Sequence, residues 1–470
     1  MTETASQIGR WRELLSSHLG TATMLAGGVA LYATNEFLTV SLLPSTIAEI
    51  GGSRLYAWVT TLYLVGSVVA ATAVNPMLLR VGARTSYLMG LTVFGVASLV
   101  CGAAPNMETL VAGRTLQGMA GGLLAGLGYA LINSALPHRL WTRGSALVSA
   151  MWGVATLVGP ATGGLFAQFG LWRWAFAATA VMSGLMALLV RAVLRSRAGA
   201  SGGQPVTPAH KVPVWSLLLM GAAALAVSVA ALPRYLVQTA GLLAASVLLI
   251  GIFVVVDWRM QAAVLPHSVF GPGPLKWIYL TMSVQMVAAM VTTYVPLFGQ
   301  RLGNLTPVAA GFLGASLAVG WTASEIVSAS VNNSRVIGHV VAAAPLVMAS
   351  GLALGALTQR ADASLGIVGL WALSLLITGT GIGIAWPHLS AWAMDCVDDP
   401  AEGGAAAAAI NIVQLISAAF GAGLAGVVVN TAQGGEVAAA RWLFTIFTGL
   451  AAVGFVASYR ATHRVRRSPG

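Results

Sequence analysis

The stretch "ALYATNEFLTVSLLP", residues 30–44, lies inside an apolar run that extends from Leu19 to Ile50. A bilayer core of ~30 Å takes about 20 apolar residues of helix. The run exceeds that, so it reads as a membrane-crossing helix with Glu36 deep within it. A charge at mid-membrane costs ~2.5–3.5 kcal/mol on insertion scales. Two readings of Glu36 follow. Either a partner holds the carboxylate permanently and fixes helix packing, or the group gains and loses a proton as a proton-coupled device requires. Asn35, beside it, offers a hydrogen bond that does not depend on charge.

The rest of the chain has the same character. Of 470 residues, 57% are hydrophobic and 8% charged, against about 25% charged in a soluble domain. The 55 glycines suit close helix approach in a membrane. The net charge of +11 does not point to nucleic acid, because the basic residues sit one or two at a time between apolar runs rather than clustered on one face. Cys101 lies in an apolar run and Cys396 in a loop near the opposite membrane face, so no disulfide is expected. Residues 1–18 lack the apolar core and cleavage site of a signal peptide, so the first span is expected to act as its own insertion signal.

Apolar runs of spanning length fall near 20–44, 55–79, 86–104, 108–133, 144–168 and 172–194, then at 214–232 and 235–256. Six more fall near 275–298, 307–330, 336–357, 364–388, 403–430 and 441–460. That makes fourteen spans in an all-α integral membrane protein. The polar stretch 195–213, rich in Gly, Ser and Pro, reads as a flexible linker. The expected organisation is a six-helix bundle over 1–194, a cytoplasmic linker over 195–213, two additional helices over 214–258 and a second six-helix bundle over 259–470. With the N-terminus inside, 17 of the 24 Lys and Arg residues fall on the cytoplasmic side, which the positive-inside rule demands. Both termini come out cytoplasmic, and Pro233-Arg234 forms a tight outer turn.

Arg114 is the one basic residue placed within a span. Glu36 lies 16 residues along an outward-running helix, roughly 24 Å up, and Arg114 six residues down an inward-running one, roughly 9 Å, at 1.5 Å per residue. Both reach the same level in the outer half, so Arg114 is the candidate partner of Glu36. Glu325, in "GWTASEIVSAS", lies near the cytoplasmic end of its span. Snorkelling to water and a substrate or ion contact are both open to it. Pro160, between glycines, removes a helix hydrogen bond and kinks the backbone, while Gly159, Gly163 and Gly164 allow close packing and bending. "GAGLAG", 421–426, has no strand before it and no acid 20 residues on, so it is no dinucleotide site. No P-loop and no metal-ligand spacing occur, and no cofactor, metal or enzymatic constellation is expected. Trp58, Trp172 and Trp442 sit at span ends, as an aromatic belt does.

Several motifs resemble the major facilitator superfamily, and in particular its fourteen-span drug–proton antiporter branch. "GRTLQGMAGG", 113–122, resembles that superfamily's fourth helix, and "MWGVATLVGPATGG", 151–164, resembles the antiporters' fifth. "WVTTLYLVG" (58–66), "WRWAF" (172–176), "VPLFGQRLGNLTPVAAG" (295–311) and "AAAINIVQLISAAFGAGLAG" (407–426) are similar to other parts of that branch. Two departures stand out. "NPMLLRVGAR", 75–84, keeps Arg80 and Gly82 of the loop motif but has Asn75 and Leu79 where Gly and Asp are usual. The first-helix acid is displaced by one position, to Glu36, and "TNEF" is similar instead to some twelve-span efflux proteins, including sugar exporters.

The resemblance implies a major facilitator fold and a proton-coupled exporter of amphipathic compounds working by alternating access in a bacterial inner membrane, without nucleic acid and as a monomer. Its implied substrate surface comprises Tyr32, Asn35, Tyr63, Gln117, Trp152, Gln285, Tyr294, Trp321, Glu325, Trp386, Asn411 and Gln414. Glu36 and Arg114 are the implied proton-coupling residues, and Gly159, Pro160, Gly163 and Gly164 the hinge. Export of an endogenous lipid or sugar metabolite is the alternative within transport; a non-transporting sensor is the alternative outside it.

Overall fold

The computed structural model describes residues 13–14, 16–71, 73–137, 140–195, 213–232, 235–260, 263–329, 331, 333–397 and 403–465. The Pro233-Arg234 turn, the linker residues 196–212 and the side chains of Asn75 and Leu79 lie outside the described residues. All regular structure among the described residues is helical. The first bundle comprises α1 (Leu19–Ile50), α2 (Tyr56–Ala71), α3 (Val74–Gly102), α4 (Met107–Ala130), the short α5 (Ile132–Ala135), α6 (Trp141–Gln168) and α7 (Trp172–Arg195). Then come α8 (Val214–Val229) and α9 (Leu236–Arg259). The remainder is α10 (Leu275–Ala289), α11 (Val295–Gly303), α12 (Pro307–Ser328), α13 (Ser334–Thr358), α14 (Leu365–Gly383), α15 (Trp386–Asp395), α16 (Gly403–Thr431) and α17 (Gly435–Val465).

Among the described residues, eleven spans are long and apolar enough to cross a bilayer, with α10–α11 and α14–α15 each counting as one interrupted crossing. Three further rods fall short for stated reasons. Helix α8 has 16 residues, and α1 and α4 carry Asn35, Glu36, Arg114 and Gln117, which depress their average hydropathy. Together these are consistent with fourteen crossings. The two interruptions were not anticipated. At the second, Ala385 donates to the Ile382 carbonyl, leaving the Gly381 carbonyl to accept from Gln285 Nε2 at 3.1 Å. Gly82 breaks α3 internally, at φ 77, a conformation that glycine adopts without a Cβ penalty.

The two bundles repeat the same packing devices. In the first, α4 presses on α2: a Cβ on Gly118 would lie 2.0 Å from the Tyr63 carbonyl oxygen, and one on Gly122 2.1 Å from that of Ser67. In the second, α14 presses on α12 the same way, with Gly379 against the Leu317 carbonyl and Gly383 against that of Trp321. Each bundle also closes one end with an ion pair between its first and sixth crossings: Glu49 with Arg173, and Arg301 with Glu436. Trp172 is buried behind the first of these and donates to Glu49 Oε2 at 2.6 Å. It is therefore part of a clasp rather than of a lipid-facing belt, while Trp442 is exposed as a belt residue should be.

Among the described residues, the bundles meet in the half nearer the Gly51 turn. A Cβ on Gly164 would meet Val308 and one on Gly311 would meet Ser41 and Pro160. Tyr56 stacks on Tyr294 with ring centroids 4.6 Å apart. Thr61 Oγ1 donates to the Ala419 carbonyl at 3.4 Å. The Gly51 end of the molecule is closed.

Candidate transport site

Helix α4 begins at Asn106, whose side chain accepts from the Thr109 amide at 2.9 Å. Two turns further on, Arg114 is 1% exposed. Its Nη1 donates to Asn35 Oδ1, and to Gln117 Oε1 at 2.6 Å. The guanidinium also lies 3.8 Å from the centroid of the Tyr63 ring, a cation–π contact. Gln117 Nε2 donates onward to Ser98 Oγ at 2.7 Å, and Ser98 to the Phe94 carbonyl at 2.7 Å. Arg114 thus ties α4 to α1, α2 and α3. Neutral acceptors and a ring receive its charge.

Depth arithmetic placed Arg114 level with 35–36, and there it is. Its hydrogen bond goes to Asn35 rather than to Glu36. Glu36 is the next residue along α1, and among the described residues its buried Oε2 has no hydrogen-bond partner. Glu36 is only partly buried and lies on the helical stripe Glu36, Val40, Leu43, Ile47. Leu43 and Ile47 join the apolar cluster that includes Val295 and Phe298 of the second bundle. The carboxyl stands on that stripe, one residue on from Asn35.

An aromatic wall adjoins it. Tyr63 Oη donates to the Tyr32 carbonyl at 2.8 Å. The Tyr32 ring stacks on Tyr63 at 5.4 Å and meets Trp152 edge-on at 5.5 Å. Among the described residues, Tyr32 Oη, Asn35 Nδ2 and Arg114 Nε have no hydrogen-bond partner. The residues Tyr32, Asn35, Tyr63, Gln117 and Trp152 are thus brought together around Arg114.

The second bundle does not gather its candidates so tightly. Trp321 and Trp386 pack at 5.4 Å, with Glu325 one turn beyond Trp321 on α12. Gln285 spends its amide nitrogen on the interrupted helix, while its Oε1 is unpartnered. Tyr294 belongs to the closed end. Asn411 is exposed and Gln414 partly buried on α16. As for α6, Gly159 and Gly163 lie against Phe37 and Leu38 of α1, and Gly164 against α12. These are packing contacts, and α6 runs unbroken through Pro160.

Sequence reasoning missed several connectors. Ser328 Oγ lies 3.0 Å from His388 Nε2 and donates to the Ile384 carbonyl. Arg54, Trp58 and Asn430 bind backbone carbonyls. A carbonyl acceptor leaves no mark in the side-chain sequence.

Two helical bundles closed against each other at one end, with a buried polar network inside the first, are the architecture of a multi-pass membrane transporter. The family model described as Major Facilitator Superfamily matches residues 25–422, and the chain belongs to that superfamily. It is 79% identical, over all 470 residues of both chains, to a Mycobacterium tuberculosis protein named "probable multidrug-efflux transporter". It is 24% identical over 328 residues, 68% of this chain and 58% of the relative, to the multidrug transporter protein MdtP of Bacillus subtilis. Among solved structures, a D-xylose–proton symporter aligns with TM-score 0.65 at 16% identity, covering 94% of this chain and 97% of the other. A bacterial homolog of the human lysosomal transporter Spinster, inward-facing and occupied, aligns with TM-score 0.65 at 12% identity, covering 97% and 99%.

Proposed function

We propose that the protein exports amphipathic compounds from a bacterial cytoplasm in exchange for protons, by alternating access across the inner membrane. In this reading the Gly51 end faces outward and both termini lie in the cytoplasm. Residues 1–194 and 259–470 are the rocking bundles, 214–258 the additional pair and 195–213 the linker, in a monomer. The observation that carries the reading is a permanent cation seated on neutral acceptors beside a carboxyl with a free oxygen. Protonating Glu36 does not dismantle the seat of Arg114. It changes only the net charge of the site, from balanced to positive. As access alternates between the two sides, Glu36 is the group that takes up and gives back the proton. The names of its relatives support multidrug substrates, and Tyr32, Tyr63 and Trp152, with Trp321 and Trp386 opposite, supply the adaptable apolar surface such substrates need.

Everted vesicles containing the protein, offered a panel of dyes, antibiotics and lipids, test this. A pH gradient should drive accumulation of several amphipathic compounds, and collapsing the gradient should abolish it. Accumulation that is indifferent to the gradient would contradict proton coupling; accumulation of a lipid alone would move the substrate to an endogenous one.

A further inference from the structure

We infer that the additional pair α8–α9 is a moving part of the outer gate, riding with the second bundle and latched to the first through Trp58 and Arg54. The inference rests on the alternating-access reading above. Helix α8 packs on both α2 and α16, so it spans the seam that must part when the molecule opens outward. The last carbonyls of a helix lack their i+4 donors; that of Ser228 takes the Ala231 amide at 3.2 Å, and side chains from both bundles also reach this end of α8. Trp58 Nε1 donates to the Ser228 carbonyl at 2.9 Å, and Arg54 Nη1 to that of Leu232 at 3.2 Å. From the other side, Asn430 Nδ2 donates to the Ala231 carbonyl at 3.3 Å and also to the Arg54 carbonyl at 3.2 Å.

The two attachments differ in kind. Towards the second bundle, Val227, Ala230 and Ala231 form an apolar cluster with Val427, with Leu242, Leu243, Phe420 and Leu424 packed against it. A Cβ on Gly423 would lie 2.8 Å from Ser228 Oγ, so α8 and α16 are pressed backbone to backbone. Parting them would open a void along close-packed rods. Towards the first bundle, the joint at the outer end consists of two hydrogen bonds to carbonyls. Arg54 is exposed there, and water can replace such bonds as they break. When the outer ends separate, the Trp58 and Arg54 bonds to α8 are released, together with the Asn430 bond to the Arg54 carbonyl.

The test is a set of distances between spin labels at exposed positions in the purified full chain in lipid nanodiscs: Leu171 on the first bundle, Leu365 on the second and Val237 on α9. Trp58→Phe keeps the ring and removes the donor. It should raise the fraction of molecules with a long Val237–Leu171 distance about fivefold, the equivalent of one net hydrogen bond. The Val237–Leu365 distance should keep its wild-type distribution. Arg54→Gln, at an exposed site, gives the same reading should Trp58→Phe disturb the fold. A lengthened Val237–Leu365 distance, or unchanged distributions in both variants, would overturn the inference. Neither distance depends on drug movement, so a failure of the efflux reading would be visible separately in the vesicles.

Discussion

At the scale of the residue, the central feature is that Arg114 is bonded to Asn35 and not to Glu36. A charged donor loses roughly 1.5–3 kcal/mol with each hydrogen bond removed. Asn35→Ala should therefore cut export about tenfold or more, measured as dye efflux from loaded cells, while Asn35→Asp should retain more. Arg114→Ala should impair export at near-normal membrane abundance. Arg114→Lys should rescue only part, because one ammonium cannot fork to both Asn35 and Gln117 while lying on Tyr63. Full efflux by Arg114→Ala would reduce the residue to a packing role. The common depth of residues 35, 36 and 114 was legible in the sequence from helix rise alone. Which of the two neighbours faces Arg114 was not, since one residue turns the side chain by about 100°. That rotation is set by how α1 lies against α4 and α6.

At the scale of the element, the glycines sort by what lies opposite them. Gly118 has the Tyr63 backbone in the way of any side chain, whereas Gly153, in the antiporter-like motif of α6, has nothing within 4 Å. Gly118→Ala should force α2 and α4 apart and lower stability by about 1–3 kcal/mol, read as an earlier thermal transition in detergent. Gly153→Ala should leave that transition unchanged. Equal effects would mean the close approach of α2 and α4 is not what holds the bundle. Length and hydropathy made the crossings legible. The interruptions at 290–294 and 384–385 were hidden, because apolar residues continue through them and Gln285, which satisfies the freed carbonyl, is 96 positions from Gly381.

At the scale of the molecule, four arginines at the Gly51 end are tied into clasps: Arg54 to the Leu232 carbonyl, Arg173 to Glu49, Arg301 to Glu436 and Arg441 to the Gln359 carbonyl. In the proposed orientation that end faces outward, as the positive-inside rule expects. Cysteine at position 235 should accordingly label from outside intact cells, and at position 205 should not; labelling of both or of neither would contradict the fourteen-crossing topology. The overall architecture was legible because bilayer thickness dictates it. The seal at the Gly51 end was not, since it depends on ring stacking and carbonyl bonds between residues hundreds of positions apart.

The central claim is that Glu36 carries the coupled proton, and Glu36→Gln tests it most directly. Purified protein in proteoliposomes, given a pH difference and no other gradient, is followed for uptake of a transported dye. Glutamine keeps shape and hydrogen bonding but cannot titrate. The account predicts that Glu36→Gln fails to concentrate the dye while still exchanging labelled for unlabelled dye across the membrane. Dye concentrated by Glu36→Gln under the pH difference alone would contradict the account and place the coupling group elsewhere.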